Sequence, residues 1–311
     1  MMMHLNCKEL TVGQRMKGYY ILLGMGYPKS SYGEPYFCGT ALDRSGTIEL
    51  RCWDNRRNRL TCDDIGEVVY IEGEVKSFGM TRQICCDMLL PTGPEDMQNY
   101  DLEDLLPERE DMRDAVVSSI AKIQDVDYHD LCLAVIDKCC EEYLSYPGGY
   151  NQHHAMPGGL AAHSCSMAAL ADALAVQYGT ELNADLLRAG CLLHDIGKIR
   201  MYTLASTGFS KGYRAKEHTE AGAKMVLEVG RSLHILESKL QMVVHLIRYH
   251  HEDKRNEDGT VQPSPPEVFA LRKLDKMDSE MDSLLSTRRG IRDGEFTGYN
   301  RHLRRNISFA A

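Results

Sequence analysis

Leu186-Leu187-Arg188-Ala189-Gly190-Cys191-Leu192-Leu193-His194-Asp195-Ile196-Gly197-Lys198 is an apolar run that ends abruptly in a histidine, an aspartate and a glycine. Leu186, Leu187, Gly190, Leu192 and Leu193 make its first part a buried helix. His194 and Asp195 therefore arrive at the C-terminal end of that helix, and Gly197 lets the chain turn away. Adjacent side chains lie about 100° apart on a regular helix. Near a frayed end both can still reach one cation, and an imidazole nitrogen beside a carboxylate oxygen is a sensible ligand pair. The same period recurs on both sides and places helices at 108–123, 127–144, 159–178, 183–195, 218–231, 234–251 and 265–286. The last has the clearest start, because Ser264-Pro265-Pro266-Glu267 reads as a capping box with proline at the first helical position. The second part of the chain is expected to be all-α.

Upstream the period is two. Tyr36–Leu42, the turn Asp43-Arg44-Ser45-Gly46 and Thr47–Trp53 form a hairpin pattern, with Ile48, Leu50 and Cys52 alternating against Glu49, Arg51 and Trp53. Glu67–Phe78 alternates Val69, Ile71 and Val75 against Tyr70, Glu72, Lys76 and Phe78, and Arg82–Leu90 follows. With Tyr19–Tyr27 this makes about five strands, and a small closed β-barrel is the economical answer because closure removes exposed edges. Pro91-Thr92-Gly93-Pro94 ends the unit, and Pro107 closes an acidic connector.

A chain of 311 residues suggests two domains. Its 43% hydrophobic and 26% charged residues exclude a disordered or low-complexity protein. Uncharged apolar stretches such as Tyr19–Tyr27 fall short of the ~18–20 residues of a membrane span. Met1 to Lys8 offers no basic segment leading into an apolar run, so a cytoplasmic location is expected. The eleven cysteines include two adjacent pairs and no Cys-x-x-Cys, and read as reduced packing residues. Net charge is −9, but residues 101–146 alone carry −9, against −2 before them and +2 after. A polyanionic substrate is therefore not excluded.

The histidines concentrate between 153 and 251, and His163, within the 159–178 helix, is a further ligand candidate. The ordered series His163, His194-Asp195, His218, His250-His251 and Asp275 resembles the HD superfamily of metal-dependent phosphohydrolases, with His194-Asp195-Ile196-Gly197-Lys198 as its central signature. The stretch from Asn151 through His153-His154 and Pro157-Gly158-Gly159 to His163, preceded by a small barrel, is similar to the YhaM-type 3′-to-5′ exoribonucleases, which join an OB-fold to an HD domain. Gly33–Phe37 and Leu42–Asp54 resemble that family's second strand, turn and third strand, and the likeness runs from about residue 17 to about 285. One departure is Glu217 before His218, where the family tends to have glycine.

The resemblance implies an α+β multidomain chain: an OB-fold barrel over 1–92, an acidic linker and connecting helix over 93–126, an HD domain over 127–286 and a basic tail over 287–311. It implies one divalent metal, manganese by family habit, held by His163, His194, Asp195 and Asp275. Asp195 bridges to a second held by His218 with His250, His251 or both. Two metals would clamp nucleophile and phosphate, and Lys198 would add positive charge at the scissile phosphate. The implied activity is hydrolysis of single-stranded RNA, and also DNA, to nucleoside 5′-monophosphates, with a homo-oligomer left open and no membrane partner.

Other residues have two readings. His153 and His154 precede a helix N-terminus and either meet substrate phosphate or serve a plain loop. Arg51 with Trp53, and Lys76 with Phe78, suit stacking of single-stranded bases, although Trp53 reads equally as core. Asp278 and Asp282 read best as a solvated helix face, His245 as packing, and Lys198 has a surface alternative. Arg288, Arg289, Arg292, Arg301, Arg304 and Arg305 give the tail a net +4 over 288–305. Two rival functions remain: an HD phosphohydrolase for a small nucleotide or cyclic dinucleotide, and a non-enzymatic nucleic-acid-binding protein. The complete ligand series argues against the second.

Overall fold

The period-two segments become five strands in the computed structural model: β1 (Arg15–Gly26), β2 (Phe37–Asp43), β3 (Gly46–Cys52), β4 (Val68–Phe78) and β5 (Thr81–Pro91). β3 buries alternate side chains throughout and β4 does so from Val69 to Val75, so Ile48, Leu50, Cys52, Val69, Ile71 and Val75 meet Tyr20, Phe37, Ile84 and Leu89 in one core. The strand order β1-β2-β3-β5-β4 closes through an antiparallel β1–β4 pair, and β3–β5 is parallel. This is the OB-like barrel expected. The structure describes residues 4–288 apart from 79–80, 108–110, 151–152, 215–216, 254 and 258, and apart from the side chains of 287 and 288. The basic tail beyond them, with Arg289, Arg292, Arg301, Arg304 and Arg305, lies outside the described residues.

The hairpin turn between β2 and β3 is organised by Asp43, which is fully buried. Its carboxylate accepts from Cys7 N–H at 2.6 Å, Ser45 N–H at 2.7 Å, Ser45 Oγ at 2.6 Å, Gly46 N–H at 3.1 Å and His4 Nε2 at 2.9 Å, stapling the N-terminal segment to the barrel. Burial alone would raise this carboxyl, but the bonds from His4, Ser45 and Cys7 hold it below the usual carboxylate range. A depressed native pKa contributes stability above the unfolded carboxylate pKa of about 4, and that contribution fades as pH falls through the native value. Asp43→Ala is expected to destabilise the barrel by about 3 kcal/mol, since several buried donors lose their acceptor at once. Urea unfolding at pH 7 checks the loss, and the difference from wild type should shrink in acid.

Beyond the barrel come α1 (Leu102–Leu105), α2 (Arg113–Ala121), α3 (Val126–Asp137), α4 (Cys140–Ser145), α5 (Gly159–Tyr178), α6 (Ala184–Leu193), a short hairpin of β6 (Tyr202–Leu204) and β7 (Ser210–Tyr213), α7 (His218–Ser232), α8 (Glu237–Tyr249) and α9 (Pro266–Arg288). The expected 127–144 helix is broken, because Cys139 adopts φ −138° and ψ 35°, outside helical geometry. The hairpin corrects the all-α expectation: its strands are too short to show a period, and Gly208 at φ 85° sits in the turn between them. Glu267, expected in a capping box, instead accepts from Asn183 N–H at 2.6 Å and ties α9 to the start of α6. Gly159–Glu181 is, contrary to the expectation from uncharged runs, long and apolar enough by composition to pass for a membrane span, but half of its most apolar window is buried inside the fold.

The chain divides into two compact units. The first is Met1–Arg109 with Thr203–Lys211 and Asp282–Ala311, and the second is Glu110–Tyr202 with Gly212–Met281. Within the first, Glu67 pairs with Lys211 at 2.5 Å and accepts from Ser206 N–H and Oγ. In the second, α5 packs on α6 and α7 on α8 around a core that includes Leu160, Leu187, Leu192, Val226, Leu246 and Leu271.

Candidate metal centre

Five elements of the second unit deliver their polar residues to one place. His163 lies in the second turn of α5, His194 caps α6, Asp195 follows it, His218 opens α7, His250 caps α8 with His251 next, and Asp275 projects from α9. Asp195 Oδ2 is 3.2 Å from His194 Nε2, and its Oδ1 is 3.3 Å from His218 Nε2 and 3.7 Å from His250 Nε2. Asp275 reaches His163 Nε2 at 3.3 Å and His251 Nδ1 at 3.8 Å. Three overlapping sets drawn from these residues have ligand atoms within 4.8 Å of one another, His163/His194/Asp195, His194/His250/Asp275 and Asp195/His218/His250/His251, and a fourth, His154/His163/Asp278, shares His163. All seven residues singled out from sequence as metal ligands are thus brought together, and both His250 and His251 reach the cluster. Glu217 is an exposed residue before α7 and does not keep His218 from Asp195.

Hydrogen bonding orients this set outward from its supports. His194 Nδ1 lies 3.0 Å from Cys191 O, and His250 Nδ1 lies 2.8 Å from Ile247 O. A carbonyl only accepts, so each Nδ1 carries the proton and each Nε2 offers a lone pair. Among the described residues, His163 Nε2, His194 Nε2, His250 Nε2 and Asp195 Oδ1 are buried without a hydrogen-bond partner. Four unpartnered polar atoms converging in one buried place are costly without a ligand. Nitrogen and carboxylate donors of this kind fit a first-row divalent cation. The Nε2 atoms of His218 and His251 face each other at 3.2 Å, which a shared cation would also relieve.

Charge is balanced closely. Burial alone would raise Asp195, but the Lys198 ammonium 2.5 Å away, with His194 and His218, holds its carboxyl well below the usual range. Burial would lower His163, yet the carboxylates of Asp275 and Asp278 raise it to about 9, so near neutral pH the ring carries a second proton that a cation at Nε2 would displace. Burial, with His194 and His251 beside it, pushes His250 well down, so that ring is neutral and available as a ligand. Arg272 of α9 donates to His250 O at 3.2 Å and Tyr249 O at 2.8 Å, closing the open carbonyls at the end of α8.

Some expectations change. Asp278 is not on a solvated face: it is only 7% exposed and accepts from His163 Nδ1 at 2.7 Å, His154 Nε2 at 2.8 Å and Ser166 Oγ. The α9 face that carries Asp275 turns inward one turn later as well, which the isolated acidic spacing did not reveal. Lys198 is buried, not a surface lysine, and its ammonium also donates to Gly148 O at 2.5 Å. Trp53 is 59% exposed and stacks on Tyr36 at 4.4 Å, which removes the core reading. Arg51 pairs with Glu49 at 2.7 Å and Lys76 with Glu74 at 3.5 Å, while Phe78 is 70% exposed. His153 is half-buried, 5.5 Å ring to ring from His163, and burial with Lys198 nearby pushes it down to about 3. His245 meets Ser264 Oγ at 3.2 Å, away from the cluster. Sequence reading passed over Tyr213, whose hydroxyl lies 3.1 Å from His218 Nδ1, because the short hairpin that carries it has no period.

Residues 160–280 match the HD domain family. Over nearly their whole length the chain is similar to proteins named 3′-5′ exoribonuclease YhaM. The protein of Oceanobacillus iheyensis is 28% identical over 92% of this chain and 91% of its own. That of Bacillus subtilis is 26% identical over 92% and 91%. That of Listeria welshimeri is 24% identical over 93% of each. The resemblance read from the histidine series is borne out, and with it the expectation of a hydrolase built as an OB-like barrel followed by an HD domain.

Proposed function

We propose, from an OB-like barrel followed by an HD domain, that this chain is a metal-dependent exonuclease that shortens single-stranded RNA from its 3′ end and releases nucleoside 5′-monophosphates. The observation that carries this reading is the convergence of three buried imidazole nitrogens and a carboxylate oxygen with no protein partner. The relatives' printed name supports the direction and the RNA. His163, His194, Asp195 and Asp275 hold one divalent cation, and Asp195, His218, His250 and His251 hold a second. Manganese is taken from the family resemblance, and mixed imidazole and carboxylate ligation is that of first-row divalent metals in general. Such cations supply Lewis acidity at a phosphodiester and ease deprotonation of water near neutral pH.

The chain's own groups do the rest. Asp195 and Gly148 O hold the Lys198 ammonium beside the cluster, where it meets a phosphate oxygen as charge builds there. His153 and His154 border the same space. The stacked Tyr36–Trp53 pair and Phe78, with Arg51 and Lys76, give the barrel an outer face on which unpaired bases rest. None of these groups needs a 2′-hydroxyl, so single-stranded DNA is cut as well. All eleven cysteines are unpaired, which suits a reducing cytoplasm.

The test is a 5′-labelled RNA with a single-stranded 3′ tail, incubated with Mn2+ beside the matching DNA and a cyclic dinucleotide. A ladder that shortens from the 3′ end and pauses near the duplex is expected. Early release of labelled mononucleotide, internal cuts, or hydrolysis of the cyclic dinucleotide alone would overturn the reading. A separate prediction isolates the barrel. Replacing Arg51, Lys76 and Phe78 together by alanine should raise KM for a long oligonucleotide about tenfold or more, since one stacked base contributes about 1–3 kcal/mol. Its salt dependence should flatten, and hydrolysis of a minimal phosphodiester should hardly change. Equal losses on both substrates would make the barrel mere scaffolding.

A further inference from the structure

His163 differs from His194 and His250 in how its ring is held. His194 and His250 end their helices, where last-turn carbonyls are open to their Nδ1 atoms. His163 sits near the start of α5, where the carbonyls one turn back are taken by the helix itself. Its Nδ1 must find a partner on another element, and that partner is Asp278, one turn beyond Asp275 on α9.

A carboxylate only accepts, so His163 Nδ1–H, His154 Nε2–H and Ser166 Oγ–H all donate to Asp278. The first bond leaves His163 Nε2 free and aimed at Asp275, 3.3 Å away. The second anchors a loop under constraint. His154 has φ 46°, in the left-handed region unusual for a residue with a Cβ, and its carbonyl accepts from Gly148 N–H at 2.8 Å. A Cβ on Gly159 would lie 2.0 Å from His154 O and one on Gly149 would lie 2.2 Å from His153 O, so the loop is pressed together by glycines.

We infer that Asp278 is a positioning residue, not a ligand, which fixes His163 for the metal and fastens the His153-His154 loop to the ligand set. The inference rests on the metal reading above. Wild-type, Asp278→Ala and Asp278→Asn proteins, stripped of metal, are titrated with Co2+ by visible absorption and with Mn2+ by calorimetry. Thermal unfolding of the stripped proteins reports the fold. Asp278→Ala should weaken affinity about 10–100-fold, the usual cost of losing an outer partner of a ligand histidine, at unchanged stoichiometry. Asp278→Asn should recover most of that loss, because its amide oxygen takes both imidazole bonds and its NH2 donates to Ser166 Oγ.

Unchanged affinity in Asp278→Ala overturns the inference. So does loss of one metal equivalent with the rest bound normally, which would make Asp278 a ligand, or equal loss in the alanine and asparagine variants, which would make charge alone decisive. Where the alanine variant does not fold, Asp278→Glu keeps the charge but moves the carboxylate by a methylene, and affinity should still fall about tenfold; no change there is equally fatal. A wild-type protein that takes up no metal overturns the metal reading itself.

Discussion

Asp195→Asn is expected to lose its bound metal and to fall by about three orders of magnitude in hydrolysis, the scale on which removal of a central electrostatic group acts. Asp195 joins the His163/His194 set to the His218/His250/His251 set, so its loss removes a donor from both. Asparagine keeps the shape and one oxygen but not the charge that offsets a cation. Alanine is a harsher change, because Lys198 is buried and its ammonium would keep only Gly148 O, at a cost of about 3–5 kcal/mol for a buried charge left without its partner. Elemental analysis and thermal unfolding of both variants check this. Full metal content in Asp195→Asn would show that the carboxylate is not a ligand.

Gly197→Ala should be nearly as damaging without touching a ligand. A Cβ there would lie 2.0 Å from His218 O and 2.4 Å from Gly222 N, so it strikes the backbone of α7, which cannot swing aside as a side chain can. Helix α7 must move outward and take His218 away from Asp195. A stability loss of about 3 kcal/mol is expected, at the upper end for overpacking, together with at least a hundredfold weaker binding of the His218-held cation. Gly222→Ala offers a graded control, since its nearest contact would be 3.1 Å, to Gly197 N. Calorimetric metal titration should rank wild type, Gly222→Ala and Gly197→Ala in that order. Normal binding in Gly197→Ala would mean that the cluster tolerates displacement of α7.

This glycine also shows what the sequence could and could not convey. Gly197 reads from the sequence as a turn; its use in the structure is close approach of two backbones, which no local pattern announces. The barrel was legible because Ile48, Leu50 and Cys52 alternate cleanly, and α5 was legible to the residue because Gly158 and Gly179 bracket an apolar run. The cluster of His163, His194, Asp195, His218, His250, His251 and Asp275 was legible through its ordered histidines and aspartates. Asp278 was not, because the same i, i+3 spacing from Asp275 suits a wet helix face as well as a buried one, and only the position of α5 decides between them. The strand alternation places Arg51 and Glu49 on one face, but a charge pair two positions apart along a strand is not dictated by it.

The segments Cys191–His194 and Ile247–His250 are two copies of one four-residue device: a helix ends on a histidine whose ring is locked by the carbonyl three positions earlier. Each copy aims an unpartnered Nε2 into the cluster using nothing but its own last turn. Half of the buried imidazole donors are therefore portable, in the sense that grafting such an ending onto two helices of an unrelated bundle whose C-termini meet, as those of α6 and α8 do, would transfer their orientation along with their identity. His163 would not travel in this way. A transplanted centre would need its outside carboxylate supplied as well.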